Sequence, residues 1–280
     1  MPFPVPTNLS ASRVEAFTSC PLAFRFASIE KLPEPPVAHT TKGSLVHRAL
    51  ELLYCRSPAD RTLDAGLHAL AEAVAEYRTD PEFTGLGLDA DEEARFLAEA
   101  EALVRRYFTM EDPAAIREIG IELYLEARVG RLTLRGIIDR LELDAEGELV
   151  VTDYKTGRPP SVQREQQRLG GVHFYAFLCH QVFGRRPARI QLMYLSTGEV
   201  IVAHPSEQSI EFLPRRTAAV WHAVERACEA GDFRPRVGPL CDYCAFKAWC
   251  PAWGGNPDRA AFEAPVAYAQ GAVQLPLAMA

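Results

Sequence analysis

The chain predicts an α/β protein in which helices precede, interrupt and follow a small antiparallel sheet. Apolar residues recur at helical spacing as far as Phe108, the period drops to two from Ile121 onward, and helical spacing returns after Lys155. Helices on either side of consecutive strands bury one face of a sheet each, so the pattern points to a layered α/β core.

Each element has its own signal. Ser10 or Ser12 can cap a short helix through Phe17, and Pro21 suits the first turn of a second helix bearing Leu22, Phe24 and Phe26. The run Leu32-Pro33-Glu34-Pro35-Pro36 reads as a linker. A helix from about Ser44 places Leu45, Val46, Ala49, Leu50, Leu52 and Leu53 at helical spacing, and residues 64–77 and 90–108 form two more amphipathic helices. Ile121–Val129 alternates, Gly130-Arg131 turns, Leu132–Leu143 returns, and Asp144-Ala145-Glu146-Gly147 turns again into 148–155. Three consecutive antiparallel strands follow from that spacing. A long helix over 161–183, a strand at 190–195 paired with 200–202, and a helix over 207–230 come next. A cysteine-rich segment and a loose Ala/Pro-containing tail end the chain. The expected organisation is 1–56 for the N-terminal helices, 57–119 for a helical insertion, 120–232 for the core, 233–255 for the cysteine segment and 256–280 for a flexible tail.

With 280 residues, 48% of them hydrophobic and 24% charged, the composition is that of an ordinary globular protein. No apolar run has the length of a bilayer span, and Met1-Pro2-Phe3-Pro4-Val5-Pro6 lacks the basic-then-apolar layout of an export signal. The expectation is a cytoplasmic protein without membrane contact, whose seven cysteines serve as metal ligands or buried fillers rather than disulfides. A net charge of −7 argues against passive coating of nucleic acid but leaves room for a local basic groove. Arg105-Arg106, Arg164 with Arg168, Arg185-Arg186 with Arg189, and Arg215-Arg216 could line one or could simply be solvated surface. No phosphate loop of the GxxxxGK[ST] kind is present, which excludes an ATPase of that type, and no internal repeat is evident.

Chemistry concentrates in Gly136-Ile137-Ile138-Asp139-Arg140 and in Val150-Val151-Thr152-Asp153-Tyr154-Lys155-Thr156-Gly157. Side chains alternate across a strand, so Asp153 and Lys155 share a face with Tyr154 opposite. Two carboxylates and an ammonium converging at one sheet edge can hold a hard divalent cation and position a water beside it, which is phosphodiester-cleaving chemistry. Simpler pairings compete: His47 with Glu51 on one helix, Asp139 with Arg140 or Arg135, and Asp153 with Lys155 as plain salt bridges.

With these motifs, an upstream helix-borne histidine in Gly43-Ser44-Leu45-Val46-His47 and a helix just after, the chain resembles the PD-(D/E)xK nuclease superfamily. Within it the likeness is to the RecB-like exonuclease branch that includes CRISPR-associated iron–sulfur nucleases. The resemblance runs from Ser10 to Cys250 and implies a restriction-endonuclease-like αβββαβ core, with 120–232 as nuclease core, a helical insertion and an iron–sulfur cap. It implies that His47, Asp139 and Asp153 bind Mg²⁺ or Mn²⁺, with the Tyr154 carbonyl a further oxygen. Lys155 would orient or deprotonate the attacking water and offset phosphate charge. Glu122, on the first strand where relatives also tend to be acidic, would at best support the ligands. The family's Gln-x-x-x-Tyr helix is matched by Tyr175, but Gly171 stands where the glutamine belongs; Gln166, Gln167 and His173 lie nearby. Tyr175 is either a site residue or a core aromatic.

Cys241-x-x-Cys244 followed by Cys250-Pro251 supplies three thiols in a tight segment, and Cys20-Pro21 offers a fourth from about 220 residues upstream. The resemblance implies that these four bind a [4Fe-4S] cluster; a Cys₄ zinc site is the competing reading. Either would staple the first helix to the last segment and stabilise the closed chain by on the order of several kcal/mol. Cys55, Cys179 and Cys228 read as core filler. Gln274-Leu275-Pro276-Leu277-Ala278 looks like a peptide that docks on the replication sliding clamp, or is simply a disordered end.

The expected function is therefore metal-dependent DNA hydrolysis, exonucleolytic and favouring single-stranded ends, in DNA repair or recombination, with a helicase as possible partner. The alternatives are a catalytically weak DNA-binding iron–sulfur subunit of a helicase–nuclease complex, or a structural or redox metal protein.

Overall fold

The computed structural model describes residues 3–159 and 162–269, and of 162–170 the backbone alone. The clamp-like peptide Gln274–Ala278 and the side chains of Gln166, Gln167, Arg164 and Arg168 lie outside the described residues. In chain order the first half holds β1 (Asn8–Leu9), α1 (Ala11–Ser19), α2 (Pro21–Phe24), α3 (Ala38–Tyr54), α4 (Leu63–Tyr77), α5 (Pro81–Thr84), α6 (Ala90–Met110) and β2 (Arg117–Val129). The second half holds β3 (Leu132–Leu143), β4 (Leu149–Lys155), α7 (Val162–Phe183), β5 (Arg189–Tyr194), β6 (Glu199–Ala203), α8 (Glu207–Ala230) and α9 (Ala260–Ala269). A mixed sheet with helices results, as an α/β chain requires. Among the described residues no helix is long and apolar enough to cross a membrane.

The chain forms two compact units. One comprises Pro36–Glu126 and Gly136–Ile210. Its strands follow β3-β4-β5-β6, with β2 pairing β3. β3 and β4 are antiparallel with Arg140 opposite Thr152, whereas β4 and β5 run parallel with Asp153 opposite Leu192. The parallel pair needs a crossover, and α7 supplies it.

Three amphipathic helices pack on this sheet. Leu45, Leu50 and Leu53 of α3, Ala69 and Ala73 of α4, and Ala100, Val104 and Tyr107 of α6 enclose a core with Tyr154, Met193 and Leu195. Capping follows the sequence: Thr62 accepts from Ala65 N–H, and Asp89 and Glu92 form a reciprocal capping box on α6. Two boundaries differ from expectation because tertiary contacts hold polar residues. α3 starts at Ala38 rather than Ser44, with the buried Thr41 hydroxyl donating to the Glu82 carbonyl of α5 at 3.2 Å. β2 starts at Arg117, where Glu118 pairs with the buried Arg61 at 2.8 Å.

The other unit comprises residues up to Pro35, Ala127–Arg135 and residues from Glu211 on. In it β1 runs parallel to the start of β3, and Ser10 caps α1 by accepting from Arg13 N–H. Phe17, Phe24 and Phe26 pack with Val224, Phe233, Phe246 and Trp249. Where the sequence predicts a loose tail, Ala260–Ala269 forms α9 with Ala260 and Ala264 buried. Trp249 Nε1–H donates to Glu263 and the Tyr268 hydroxyl to the Ala245 carbonyl, anchors that an Ala-rich composition does not announce. Cys179 and Cys228 are buried as expected, but Cys55 is exposed at the C-terminal end of α3.

Candidate active site

Alternation along β3 and β4 sorts the motif residues onto two faces. Arg140 stands opposite Thr152 and donates to its hydroxyl at 3.1 Å, so Arg140, Thr152 and Tyr154 share one face. Asp139, Asp153 and Lys155 take the other. Asp139 therefore does not pair with Arg140. Beyond Arg140–Thr152 the ladder opens, and the Tyr154 N–H donates to Asp139 Oδ2 at 2.7 Å. A side chain replaces the missing ladder acceptor and is fixed by doing so.

His47 reaches this point from α3. Its Nε2 lies 3.0 Å from the Tyr154 carbonyl, which can only accept, so Nε2 carries the proton. That leaves Nδ1 facing two carboxylates, Glu122 Oε1 and Asp139 Oδ2, each at 3.6 Å. Ligand atoms of His47, Glu122 and Asp139 all lie within 4.8 Å of one another. An imidazole whose second nitrogen donates to a backbone carbonyl has the orientation and tautomer of a metal ligand. The Tyr154 carbonyl, expected as a further oxygen donor, thus stands beside the imidazole at the same point. Glu51 does not compete for His47, since it pairs with Arg48 at 2.8 Å.

Glu122 is the residue the sequence underrates. On a regular strand it would point outward with Tyr124, Glu126 and Arg128, which are all exposed. Its φ of 45° puts it in the left-handed region and redirects its carboxylate to His47. Such a conformation costs about 1–3 kcal/mol in a non-glycine residue and clusters at functional sites.

The charges are frustrated without a cation. Burial and then the Asp153 carboxylate raise Asp139 to about 7, against the opposing pull of His47, the Tyr154 N–H and Lys155. Burial lowers His47, but its bond to Glu122 and the charges of Asp139, Glu122 and Asp153 outweigh that and raise it to about 8. Lys155 Nζ lies 2.5 Å from Asp153 Oδ2, so the simple salt bridge expected there exists within the acidic site. Tyr175 sits against Gly136, where an added Cβ would stand 3.3 Å from its ring. Burial, then Asp153, Asp139 and Glu122, hold its hydroxyl strongly neutral, which puts it beside the carboxylates. At Gly171 no atom of the described residues stands within 4 Å of where a Cβ would be.

A cleft of about 630 Å³ opens beside the triad, lined by His39, Thr40, Ser44 and His47 of α3 with Tyr77, Glu122 and Thr156. Gly43 permits this closeness: a Cβ there would stand 3.2 Å from Thr156 Oγ1. The cleft's arginine, Arg48, is held by Glu51 and Glu76. Arg105, Arg185 and Arg189, candidates for a basic groove, each make an ion pair with Glu101, Glu148 and Asp144.

In the other unit the cysteine segment winds through short helical turns, and Cys20, Cys241, Cys244 and Cys250 are all half-buried. Backbone N–H groups point at two of the sulfurs, Arg236 to Cys20 at 3.5 Å and Gly238 to Cys241 at 3.4 Å. Burial raises the Cys244 thiol, a bond from Phe246 N–H opposes that, and Cys20, Cys241 and Cys250 raise it further. Among the described residues no three cysteine sulfurs lie within 4.8 Å of one another.

Comparisons place this geometry. The chain is 26% identical over 269 residues to the Gene 69 protein of Mycobacterium phage D29, across 87% of this chain and 96% of the relative. It is 22% identical over 291 residues to the Gene 69 protein of Mycobacterium phage L5, with the same coverage. Among solved structures, a protein from Eubacterium rectale, provisionally described as an exonuclease, aligns with a TM-score of 0.48 at 14% identity, over 85% of this chain and 87% of that one. SSO0001 aligns with a TM-score of 0.41 at 15% identity, over 88% and 86%. The profile of the PD-(D/E)XK nuclease superfamily matches residues 8–251, through both β3 and β4 and the cysteine segment, and the chain belongs to that superfamily.

Proposed function

We propose that this protein is a divalent-metal-dependent deoxyribonuclease that degrades DNA from single-stranded ends in repair or recombination. The observation that carries the reading is the convergence of His47, Glu122 and Asp139 beside the Asp153–Lys155 pair. Oxygen donors with one imidazole suit Mg²⁺ or Mn²⁺, the imidazole tilting the site towards Mn²⁺. When bound, the ion supplies Lewis acidity toward the scissile phosphate and a water of lowered pKa. His47, Glu122 and Asp139 hold it, with Asp153 close by. Lys155, fixed by Asp153, offsets phosphate charge and orients the attacking water. Tyr175, kept neutral, can donate a hydrogen bond at the same face. An open cleft lined by hydroxyls and imidazoles suits a threaded single strand read through its backbone, largely without sequence preference. The test is digestion of end-labelled single strands with Mn²⁺, using 5′- and 3′-blocked substrates. Wild type should release short products and Asp153→Ala none; equal activity of the two would reject the reading.

The four cysteines support a [4Fe-4S] cluster as the structural staple of the other unit. Four thiols that influence one another, two of them accepting backbone N–H bonds, suit an electron-rich cluster. A tetrahedral zinc site on the same four thiols, with Zn–S of about 2.3 Å, is the competing occupant. Iron content and absorbance near 400 nm of anaerobically purified protein decide between them; zinc without iron would overturn the cluster assignment.

A further inference from the structure

We infer that Arg140, on the face of the sheet turned away from the acidic site, is a positioning residue that sets the metal ligands through Tyr154. This rests on the metal-dependent reading above. Tyr154 holds two ligands with its backbone: its N–H donates to Asp139 at 2.7 Å, and its carbonyl accepts from His47 at 3.0 Å. A small rotation of this one residue therefore moves both ligands at once. Its side chain is fixed on the opposite face, where Arg140 Nη1 donates to the Tyr154 hydroxyl at 2.7 Å.

Arg140 is itself held through both ends of its fork and has no solvent exposure. Nη1 also donates to the Tyr54 hydroxyl at 2.7 Å and the Tyr107 hydroxyl at 3.4 Å, and Nη2 donates to Glu111 at 2.9 Å and Thr152 at 3.1 Å, while Nε faces Glu142 in an ion pair without a hydrogen bond. Tyr54 and Tyr107 share a further bond at 2.6 Å. A guanidinium is suited to this because its planar fork fixes several acceptors in one geometry, which an ammonium cannot do. Tyr154 also reports on three elements through the fork, since Tyr54 ends α3, Thr152 lies on its own strand and Glu111 follows α6. Taking a guanidinium out of water costs several kcal/mol, which partners offset only in good geometry, so this network holds Arg140 in one arrangement. The metal ligands, one residue removed on the same strands, are what it can serve.

The experiment compares two phenol deletions. Tyr154→Phe removes the bond that ties the ligand-bearing residue to Arg140. Tyr268→Phe removes the hydroxyl's bond to the Ala245 carbonyl in the other unit, which carries none of the metal-binding residues. Mn²⁺ affinity is read by electron paramagnetic resonance of free Mn²⁺, and Tm is read with EDTA. The expected result is a loss of Mn²⁺ affinity of tenfold or more in Tyr154→Phe and less than threefold in Tyr268→Phe, with Tm lowered in both. Equal effects on affinity in the two variants, or none in Tyr154→Phe, would overturn the inference. Arg140→Lys, which keeps the charge and loses the fork, takes the place of Tyr154→Phe if that variant does not fold, with the same tenfold expectation. Wild type that binds no Mn²⁺ would instead reject the metal-dependent reading beneath it.

Discussion

Asp139→Asn should stabilise the metal-free protein while abolishing its metal site. Asp139 is 8% exposed, faces Asp153 and lies near Glu122's partner His47. Its rise from 3.8 to about 7 corresponds to about 4 kcal/mol for keeping the folded carboxyl ionised. The sign follows from linkage: a raised folded pKa means the folded state binds the proton more tightly. The penalty is absent below 3.8, grows as the unfolded carboxyl ionises, and is complete above about 7. Asparagine keeps the acceptor for the Tyr154 N–H and carries no charge. At pH 8.5, where His47 is also mostly neutral, the substitution should add about 2–4 kcal/mol, or roughly 5–10 °C in Tm. At pH 5 the gap should shrink to under half. The assay is thermal unfolding in EDTA across pH 4 to 9, followed by circular dichroism. A difference in Tm independent of pH, or a less stable variant at pH 8.5, would refute the assignment of Asp139 as a frustrated ligand.

Other outcomes follow from the same geometry. Glu122→Gln should weaken Mn²⁺ binding at least tenfold in calorimetry while changing Tm by a few degrees only, because the left-handed backbone is kept and one charge is lost. Mn²⁺ affinity should rise from pH 6 to 8.5: His47 and Asp139 must give up protons held to about 8 and about 7, so proton release measured in two buffers should approach two per ion at pH 6 and vanish at pH 9. Lys155→Met should lower kcat by about 10²–10⁴-fold without weakening Mn²⁺ binding, since the ammonium contributes no ligand atom; a loss of affinity instead would make it part of the ion site.

How far the sequence revealed all this can be traced residue by residue. Asp139, Asp153 and Lys155 were legible because period-two alternation fixes which side chains share a face, and β4 stays in register with β5 through Lys155. His47 was legible only through its motif, since nothing local connects α3 to a strand more than a hundred residues away. Glu122 was hidden by its backbone: alternation puts it outside, and a φ of 45° is not written in any residue preference of glutamate. The bond from the Tyr154 N–H to Asp139 was hidden for a related reason, as the opening of the β3–β4 ladder is a tertiary event. Arg140 looked like a salt-bridge partner for its neighbour Asp139, and only its three phenols and two glutamates, from α3, α6 and the sheet, show that it faces away. Helix α9 was obscured by Pro265 inside an Ala-rich stretch and is held by Trp249 and Tyr268.

The opposed faces of β3 and β4 explain why the metal-free site can exist at all. On one side an ionised Asp139 costs about 4 kcal/mol above pH 7 and the Glu122 backbone about 1–3 more, while His47, raised from 6.5 to about 8, offsets about 2 as long as it stays protonated. That contribution is complete below 6.5 and is lost as pH rises through 8, which is where the acids are fully charged. The remaining strain is about 3–5 kcal/mol while His47 is protonated, comparable with the about 2.7–4.1 kcal/mol by which an ion at 100 to 1,000 times its Kd stabilises the fold. The strain must nevertheless be borne when no ion is bound, and a loosely packed strand would relax by letting Asp139 and His47 swing apart. The fork of Arg140 on the opposite face denies that relaxation, because Tyr154 cannot turn without breaking a buried phenol–guanidinium bond. Rigidity behind the site and frustration within it are thus one arrangement, and Mn²⁺ should raise the Tm of wild type more than that of Tyr154→Phe at equal saturation only if the two are coupled through that residue.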